Sequence, residues 1–379
     1  MQISFWEKDT FFNNTDVIII GSGIVGLNAA IHMKEQNPLL KIIIVERGVL
    51  PCGASTKNAG FACFGSMSEL LDDSAQNGED AMLALVEKRW RGLLSLREKL
   101  GDKTMDYLPL SGHEVFSADD KNVYEHCAEN IEKYNSLLKN LIGPNVFESA
   151  DNFINNNALK GFNHLIKNNY EGQLHTGKMM ESLFRLAQSL DITIFNGMEI
   201  NRIEEGTNYV KLFSENGWTL KAKKLLLCTN GFTQRLFPSV EVYPARNQVL
   251  ITAPIPGLKL KGSFHYNKGY VYFRNIGDRI LLGGGRHLYK YEESTDKMEL
   301  TDEIQNFLEE FLEKHLLSEH TNTAIEMRWS GILGIGNEKK PIISQYSDHI
   351  YTAVRLGGMG VAIGILVGRE AADLCLKSL

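Results

Sequence analysis

Four consecutive apolar residues, Val17 to Ile20, run directly into Gly21-Ser22-Gly23-Ile24-Val25-Gly26, and few folds accept that succession. An apolar run without alternation reads as a strand covered on both faces, the pattern of a parallel sheet. Gly21 permits a tight turn, Gly23 lets backbone approach a pyrophosphate, and Gly26 lets the next helix, about Ile24 to Glu35, pack on the strand. That helix N-terminus favours phosphate charge. A second apolar run, Lys41 to Val45, completes a strand, helix, parallel strand unit, and Glu46 stands 20 residues after Gly26. A carboxylate there accepts hydrogen bonds from ribose hydroxyls. The competing reading is an ordinary tight turn; the strand before it, the helix after it and the acid beyond favour a dinucleotide site. Glu46 also disfavours a 2′-phosphate, so NADP is not expected.

The chain has 379 residues, 43% of them hydrophobic, which suffices for two or more domains with real cores. Forty Lys and Arg against 46 Asp and Glu give a net charge of −6 with no long basic run, so a small molecule is the expected partner and not nucleic acid. The first 14 residues lack a basic and apolar signal pattern, and Leu356 to Val367, bounded by Arg355 and Arg369, falls short of the ~18 residues a membrane helix needs. The expectation is a cytoplasmic protein with no transmembrane segment. Five cysteines without zinc-ligand spacing suit reduced thiols, and ten histidines without H-x-x-x-H or H-E-x-x-H spacing predict no metal site. His113-Glu114 and Glu125-His126 read as surface or helix residues.

Apolar spacing predicts amphipathic helices over Asp80 to Leu100, Tyr124 to Leu141 and Lys178 to Leu190. Short strands follow near Thr193 to Phe195, Tyr209 to Phe213 and Lys224 to Leu227, then hairpin strands Gln248 to Ala253, Tyr270 to Arg274 and Arg279 to Leu282. A helix from Thr301 to Leu317, a strand near Ile350 to Val354 and a terminal helix close the chain. The order predicts a nucleotide domain, an inserted sheet domain and a return to the first.

Beyond Glu46 the chain reads Glu46-Arg47-Gly48 and then Gly53-Ala54-Ser55-Thr56-Lys57-Asn58-Ala59-Gly60. Gly172-Gln173-Leu174-His175, Leu225 to Gly231, Arg328-Trp329-Ser330-Gly331 and Gly357-Gly358-Met359-Gly360-Val361 follow in order. Together these segments resemble the FAD-dependent amine and amino-acid oxidoreductases of the D-amino-acid-oxidase, glycine-oxidase and sarcosine-oxidase family, over nearly the whole chain. Phe5-Trp6, Tyr272-x-Arg274, Asp278-x-Ile280 and Gly283-Gly284 look most like the gamma-glutamylputrescine oxidoreductase branch.

The resemblance implies an α/β fold, with an FAD-binding Rossmann-like domain (1–100, 165–240 and 340–379) interleaved with an antiparallel-sheet substrate domain of α+β character (101–164 and 241–339). It also implies oxidation of a C–N bond. The cofactor-binding residues it implies are Gly21, Ser22, Gly23, Ile24, Val25, Gly26, Glu46, Arg47, Ala54 to Gly60, Ile200, Thr229, Asn230, Gly231, Gly331, Gly357, Gly358, Gly360 and Val361. Oxygen or a quinone is the implied electron acceptor. Relatives that bind flavin covalently use a cysteine near the C-terminal flavin loop; none lies between Cys228 and Cys375, so FAD is expected to be noncovalent, with Cys63 the residue to test. At the last glycine turn, backbone N–H donors at a helix N-terminus would favour the charge that grows on reduced flavin.

On the substrate side, a period of two sets Tyr270, Tyr272 and Arg274 on one face, as a cavity wall or else a solvent-facing surface. Met359 joins them at the flavin loop. Leu333-Gly334 and Gly358-Met359 stand where glycine oxidases carry carboxylate-gripping arginines, which points away from a plain small α-amino acid, and Leu281-Leu282 stand where sarcosine oxidases carry an oxygen-activating lysine, which points away from rapid reaction with oxygen. Two other readings stay open: a flavin dehydrogenase of a 2-hydroxy acid, with His265 or His287 as base, and a flavoprotein serving only as a redox partner or assembly factor.

Overall fold

Two large sheets, one mostly parallel and one mostly antiparallel, organise a computed structural model that describes residues 3–317 and 323–379. The first has the order Ile342–Gln345, Ile350–Val354, Lys224–Leu227, Val17–Ile20, Ile42–Val45 and Thr193–Phe195. All neighbours are parallel except the edge strand Ile342–Gln345. Its central strands are buried on both faces, and alternate side chains serve different cores. Val17, Ile19, Ile42 and Ile44 meet the helices Ile24–Gln36 and Gly360–Leu376. Ile18, Ile20, Ile43 and Val45 meet a three-stranded antiparallel sheet, Ile200–Gly206, Tyr209–Ser214 and Thr219–Ala222. Each such buried Val or Ile contributes about 1.5–3 kcal/mol relative to exposure, which explains the absence of polar residues in these strands.

The second sheet has eight strands in the order Ile325–Ile335, Tyr243–Thr252, Arg279–Gly284, Val271–Ile276, Ser263–Tyr266, Gly112–Phe116, His164–Asn168 and Phe147–Ser149. Its pairs are antiparallel apart from Ser263–Tyr266 beside Gly112–Phe116. One face packs Leu250, Phe264, Phe273 and Leu282 against Ile304, Leu308 and Phe311 of the helix Asp302–Phe311. Residues of opposite parity, including Tyr272, which pairs with His265, face a cavity.

Several elements differ from the sequence reading. The eleven-residue strand Ile325–Ile335 was not foreseen, because Gly331 and Gly334 and a mixed polar pattern interrupt any period of two. His113 and Glu114 are neither on the surface nor on a helix: they are 1% and 3% exposed on the strand Gly112–Phe116. Burial is tolerated because Glu114 accepts hydrogen bonds from the Ser68 N–H and hydroxyl, and His113 stacks on Phe264 at 4.6 Å. The strand His164–Asn168 pairs with Gly112–Phe116, so a domain boundary at 165 would cut through it. The helix after Thr301 is α-helical to Phe311 and continues as a wider π-type turn over Leu312–Leu316. Among the described residues no helix is long and apolar enough to cross a membrane.

Candidate active site

The carboxyl ends of the parallel strands open on a cleft, the usual ligand position in such sheets. Its wall contains Gly21, Gly23, Ile24, Val25, Glu46, Arg47, Ala54, Ser55, Asn58, Ile200, Thr229, Asn230, Gly358, Gly360 and Val361. Close approach dictates the glycines. Gly21 has φ +104°, and a Cβ on Gly26 would lie 2.0 Å from the Gly21 carbonyl oxygen. The helix Ile24–Gln36 has no side chain of its own capping its first turn, and the Ile24 N–H donates to Ser55 Oγ at 2.9 Å. The end of its dipole therefore faces the cleft.

Glu46 is 6% exposed and held at both oxygens. Oε2 accepts from the Ser22 N–H (3.1 Å) and hydroxyl (3.0 Å), and Oε1 from the Gly48 N–H (3.0 Å) and the Cys52 thiol (3.3 Å). Ser22 thus orients the carboxylate from beneath and does not line the cleft. Arg47 lies over the Phe232 ring at 3.8 Å, and its Nε donates to Cys52 Sγ.

A second cavity of about 470 Å³ continues from the cleft, and the two share Ala54, Asn58, Leu333, Gly358 and Val361. Lys57, Ala59, Gly60, Gly331, Gly357, Met359, Tyr270 and Tyr272 also line it. Asn58 shapes one rim, since its Oδ1 accepts from the Gly60 N–H (2.9 Å) and the Thr176 hydroxyl (3.0 Å). Asn230 shapes the other, its Oδ1 accepting from the Arg355 (3.1 Å) and Leu356 (3.3 Å) N–H groups just before the glycine turn. At that turn Gly357 has φ +57°, and a Cβ there would meet nothing within 4 Å. The helix that follows, Gly360–Leu376, also lacks a side-chain cap. Backbone donors at both ends of a continuous channel, with a fixed carboxylate between the glycine motif and the rim, suit a flavin dinucleotide.

Four residues named from the sequence as cofactor-binding pack behind the walls. They are Ser22, Gly26, Thr56, whose hydroxyl donates to the Pro51 carbonyl (2.5 Å), and Gly231, which abuts the Leu333 carbonyl. Arg274 also lies outside the lining. It is 5% exposed, and its Nη1 donates to the Gly60 carbonyl at 3.2 Å, so it buttresses the rim; burial lowers its pKa to about 10. The period of two aligned Arg274 with Tyr272 correctly, but the Gly60 loop closes over the guanidinium.

Other cavity residues escaped the sequence reading: Asn247, Glu69, Asp72, Lys268, Arg286 and Lys339. Lys268 pairs with Asp72 (2.7 Å), while Lys339 pairs with Asp73 (2.5 Å) and lies 3.5 Å from Glu69. Burial pushes the Glu69 pKa up, but Arg89 at 3.1 Å and Lys339 outweigh it and hold it low. These partners are far apart in the chain and leave no local signal. Arg286 does have one, the Gly283-Gly284-Gly285 run before it, where φ is +123° at Gly284 and +82° at Gly285. Burial raises the Tyr272 hydroxyl to about 12 and lowers His265 to about 4. Tyr272 is therefore a proton donor in hydrogen bonds, and His265 a neutral imidazole.

A parallel sheet opening on a dinucleotide channel, continued by a cavity walled by an antiparallel sheet, defines a two-sheet redox flavoprotein. Residues 16–374 match the family model described as FAD dependent oxidoreductase (DAO), and the chain belongs to that family of FAD-dependent enzymes. It is 22% identical to a probable oxidoreductase of Haemophilus influenzae, covering 97% of this chain and 84% of the relative. It is 23% identical to the gamma-glutamylputrescine oxidoreductase of Escherichia coli, over 95% and 83%. The fold matches that of L-proline dehydrogenase from P. horikoshii with a TM-score of 0.74 at 15% identity, covering 96% of this chain and 94% of that one.

Proposed function

We propose that this enzyme oxidises the C–N bond of an amine or amino-acid derivative, with hydride leaving the substrate carbon and water hydrolysing the resulting imine. One observation carries the reading: the cavity beside the Gly357–Met359 turn has a polar and aromatic wall whose carboxylates are tied up in ion pairs, Asp72 with Lys268 and Glu69 with Arg89 and Lys339, so neither is a free base. His265, held near 4, is too weak to take a hydroxyl proton efficiently, and Tyr272, raised to about 12, keeps its own. An amine entering neutral needs no such base, whereas a 2-hydroxy acid does. The names of two similar proteins, one for gamma-glutamylputrescine and one for L-proline, lie in the same chemical class.

FAD, when bound, supplies the two-electron acceptor, and oxygen or a quinone reoxidises it. Glu46, the Gly21–Gly26 turn and the Gly357–Gly360 backbone would hold it, Glu46 as an acceptor for ribose hydroxyls and the two glycine turns as N–H donors. Tyr272 orients the substrate, Met359 and Val249, both apolar residues of the cavity wall, exclude water, and Arg274 fixes Gly60 at the rim. FAD is held without a covalent bond, so acid precipitation is expected to release all the yellow colour. Colour kept in the pellet would overturn this and direct attention to Cys63, which lines the cavity.

The test of the reaction is anaerobic bleaching of the FAD-loaded protein by secondary amines, amino acids, polyamine derivatives and 2-hydroxy acids. Bleaching by amines is expected. Bleaching by hydroxy acids alone would replace the reading, and bleaching by none would favour a redox-partner role.

A further inference from the structure

Two loops at the substrate cavity reach the same helix, Met67–Asn77, and each lands there with a cavity-lining lysine. Lys268 meets Asp72 at 2.7 Å with both side chains well exposed, an ordinary surface pair. Its turn joins the paired strands Ser263–Tyr266 and Val271–Ile276, and it cannot swing without breaking their register.

Lys339 is placed differently. Its loop, 336–341, runs from the strand Ile325–Ile335 of the antiparallel sheet to the edge strand Ile342–Gln345 of the parallel one, so no ladder joins its two flanks. The anion it meets, Asp73, is 2% exposed, and apart from Lys339 neither of its oxygens has a hydrogen-bond partner among the described residues. Lys339 itself is 46% exposed. A buried carboxylate whose counter-charge comes from one half-exposed lysine holds that lysine down, because its departure leaves the anion uncompensated until water follows. Glu69, the other anion in reach, keeps Arg89 whether or not Lys339 stays.

The root of the loop is pinned from the glycine turn at the far wall. Arg355 Nε donates to the Lys340 carbonyl at 2.8 Å, its Nη2 lies 3.7 Å from Glu338, and a Cβ on Gly336 would sit 2.6 Å from its Cδ. Arg355 has φ +66°, uncommon for a residue with a side chain, and stands two residues before Gly357.

We propose that the loop 336–341 is the lid of the cavity, latched by Lys339 on Asp73 and hinged at Arg355. It controls passage between cavity and solvent, whichever substrate the cavity takes.

Two readouts on the FAD-loaded full chain test this. Trypsin needs a free, extended lysine, so cleavage between Lys339 and Lys340, measured against cleavage after the exposed Lys297, counts unlatching. Alkylation of Cys63, a buried thiol of the cavity wall, by neutral iodoacetamide counts entry. Asp73→Asn is expected to raise both rates together by about fivefold, the effect of losing one half-exposed ion pair. In the wild type both rates should climb with ionic strength, since salt screens that pair, and in Asp73→Asn they should stay flat. Lys339→Gln removes the cut and is read by alkylation alone; it should match Asp73→Asn, and serves if that variant does not keep its flavin. Cleavage that rises with no rise in Cys63 alkylation would leave a latch but no lid. Unchanged rates, or the same salt response in wild type and Asp73→Asn, would overturn the proposal outright.

Discussion

The dinucleotide cleft and the substrate cavity meet at five shared residues, yet they are built by different means. The cleft presents main-chain groups and small residues from short segments, 21–26, 46–58 and 229–230, that close onto one sheet edge. The cavity presents side chains from scattered elements: Glu69 and Asp72 on the helix Met67–Asn77, Asn247 and Tyr272 on two strands, and Arg286 and Lys339 on two loops. Recognition by backbone tolerates changes of side chain but not an added Cβ at a contact. Recognition by side chains has the opposite tolerance.

The largest expected effect tests the first half of that contrast. Gly26→Ala sets a methyl group 2.0 Å from the Gly21 carbonyl oxygen, in the turn that shapes the cleft, and 3.2 Å from Ile19 Cγ2, on the strand before it. Neither neighbour is a flexible side-chain tip, so the helix must shift, at a cost above about 4 kcal/mol. The variant should yield little soluble protein and no bound flavin. Recovery of a yellow, fully loaded Gly26→Ala protein would show that the turn does not set the cleft.

Next in size is Glu293→Ala, on the cavity side. It leaves Arg246 buried at 4% exposure and unpaired, and frees Gln248 Nε2, which donates to both Glu293 oxygens at 3.1 and 3.2 Å. Removing one partner of a buried pair costs about 3 kcal/mol. Urea unfolding should show that loss, while FAD affinity of the folded fraction stays near the wild-type value, because Glu293 touches the antiparallel sheet and not the cleft. A parallel fall in FAD affinity would mean that the two regions are energetically one.

The same difference explains what was legible in the sequence. Gly21, Gly23, Gly26 and Glu46 carry their meaning in spacing, because a strand, a turn and a helix fix their positions before any tertiary contact forms. Tyr270 and Tyr272 were legible as a face through the period of two. Arg274 was legible as to face but not as to role, since only the loop ending at Gly60, over 200 residues earlier in the chain, decides that its guanidinium is covered. The pairing of Lys339 with Asp73 and Glu69 joins segments that no local pattern relates. His113 and Glu114 were misread because their partners, Phe264 and Ser68, come from other elements, and without those partners a His-Glu dipeptide belongs at the surface.

The smallest effect concerns His113, and it is visible only as a dependence on pH. Burial pushes its pKa down to about 4, with a partial upward pull from the Ser263 carbonyl, which lies 3.2 Å from Nδ1, and smaller downward contributions from Lys167 and His265. The folded value lies below the ordinary 6.5, so the unfolded chain takes up the proton first. Stability from the neutral ring is therefore complete above pH 6.5 and drains away as the pH falls toward 4, by about 2 kcal/mol between pH 7 and pH 4.5 at 1.36 kcal/mol per unit. Glu171 opposes this trend in sign: burial raises it to about 8, so its contribution is full below 4.5 and is lost as the pH rises through 8. His113→Phe removes one titration and keeps the stack on Phe264. Its loss of urea midpoint between pH 7 and pH 4.5 should be smaller than that of the wild type, whatever its stability at pH 7. An equal loss in both proteins would mean that the antiparallel sheet opens enough to solvate His113, and that the cavity side owes less to burial than its geometry implies.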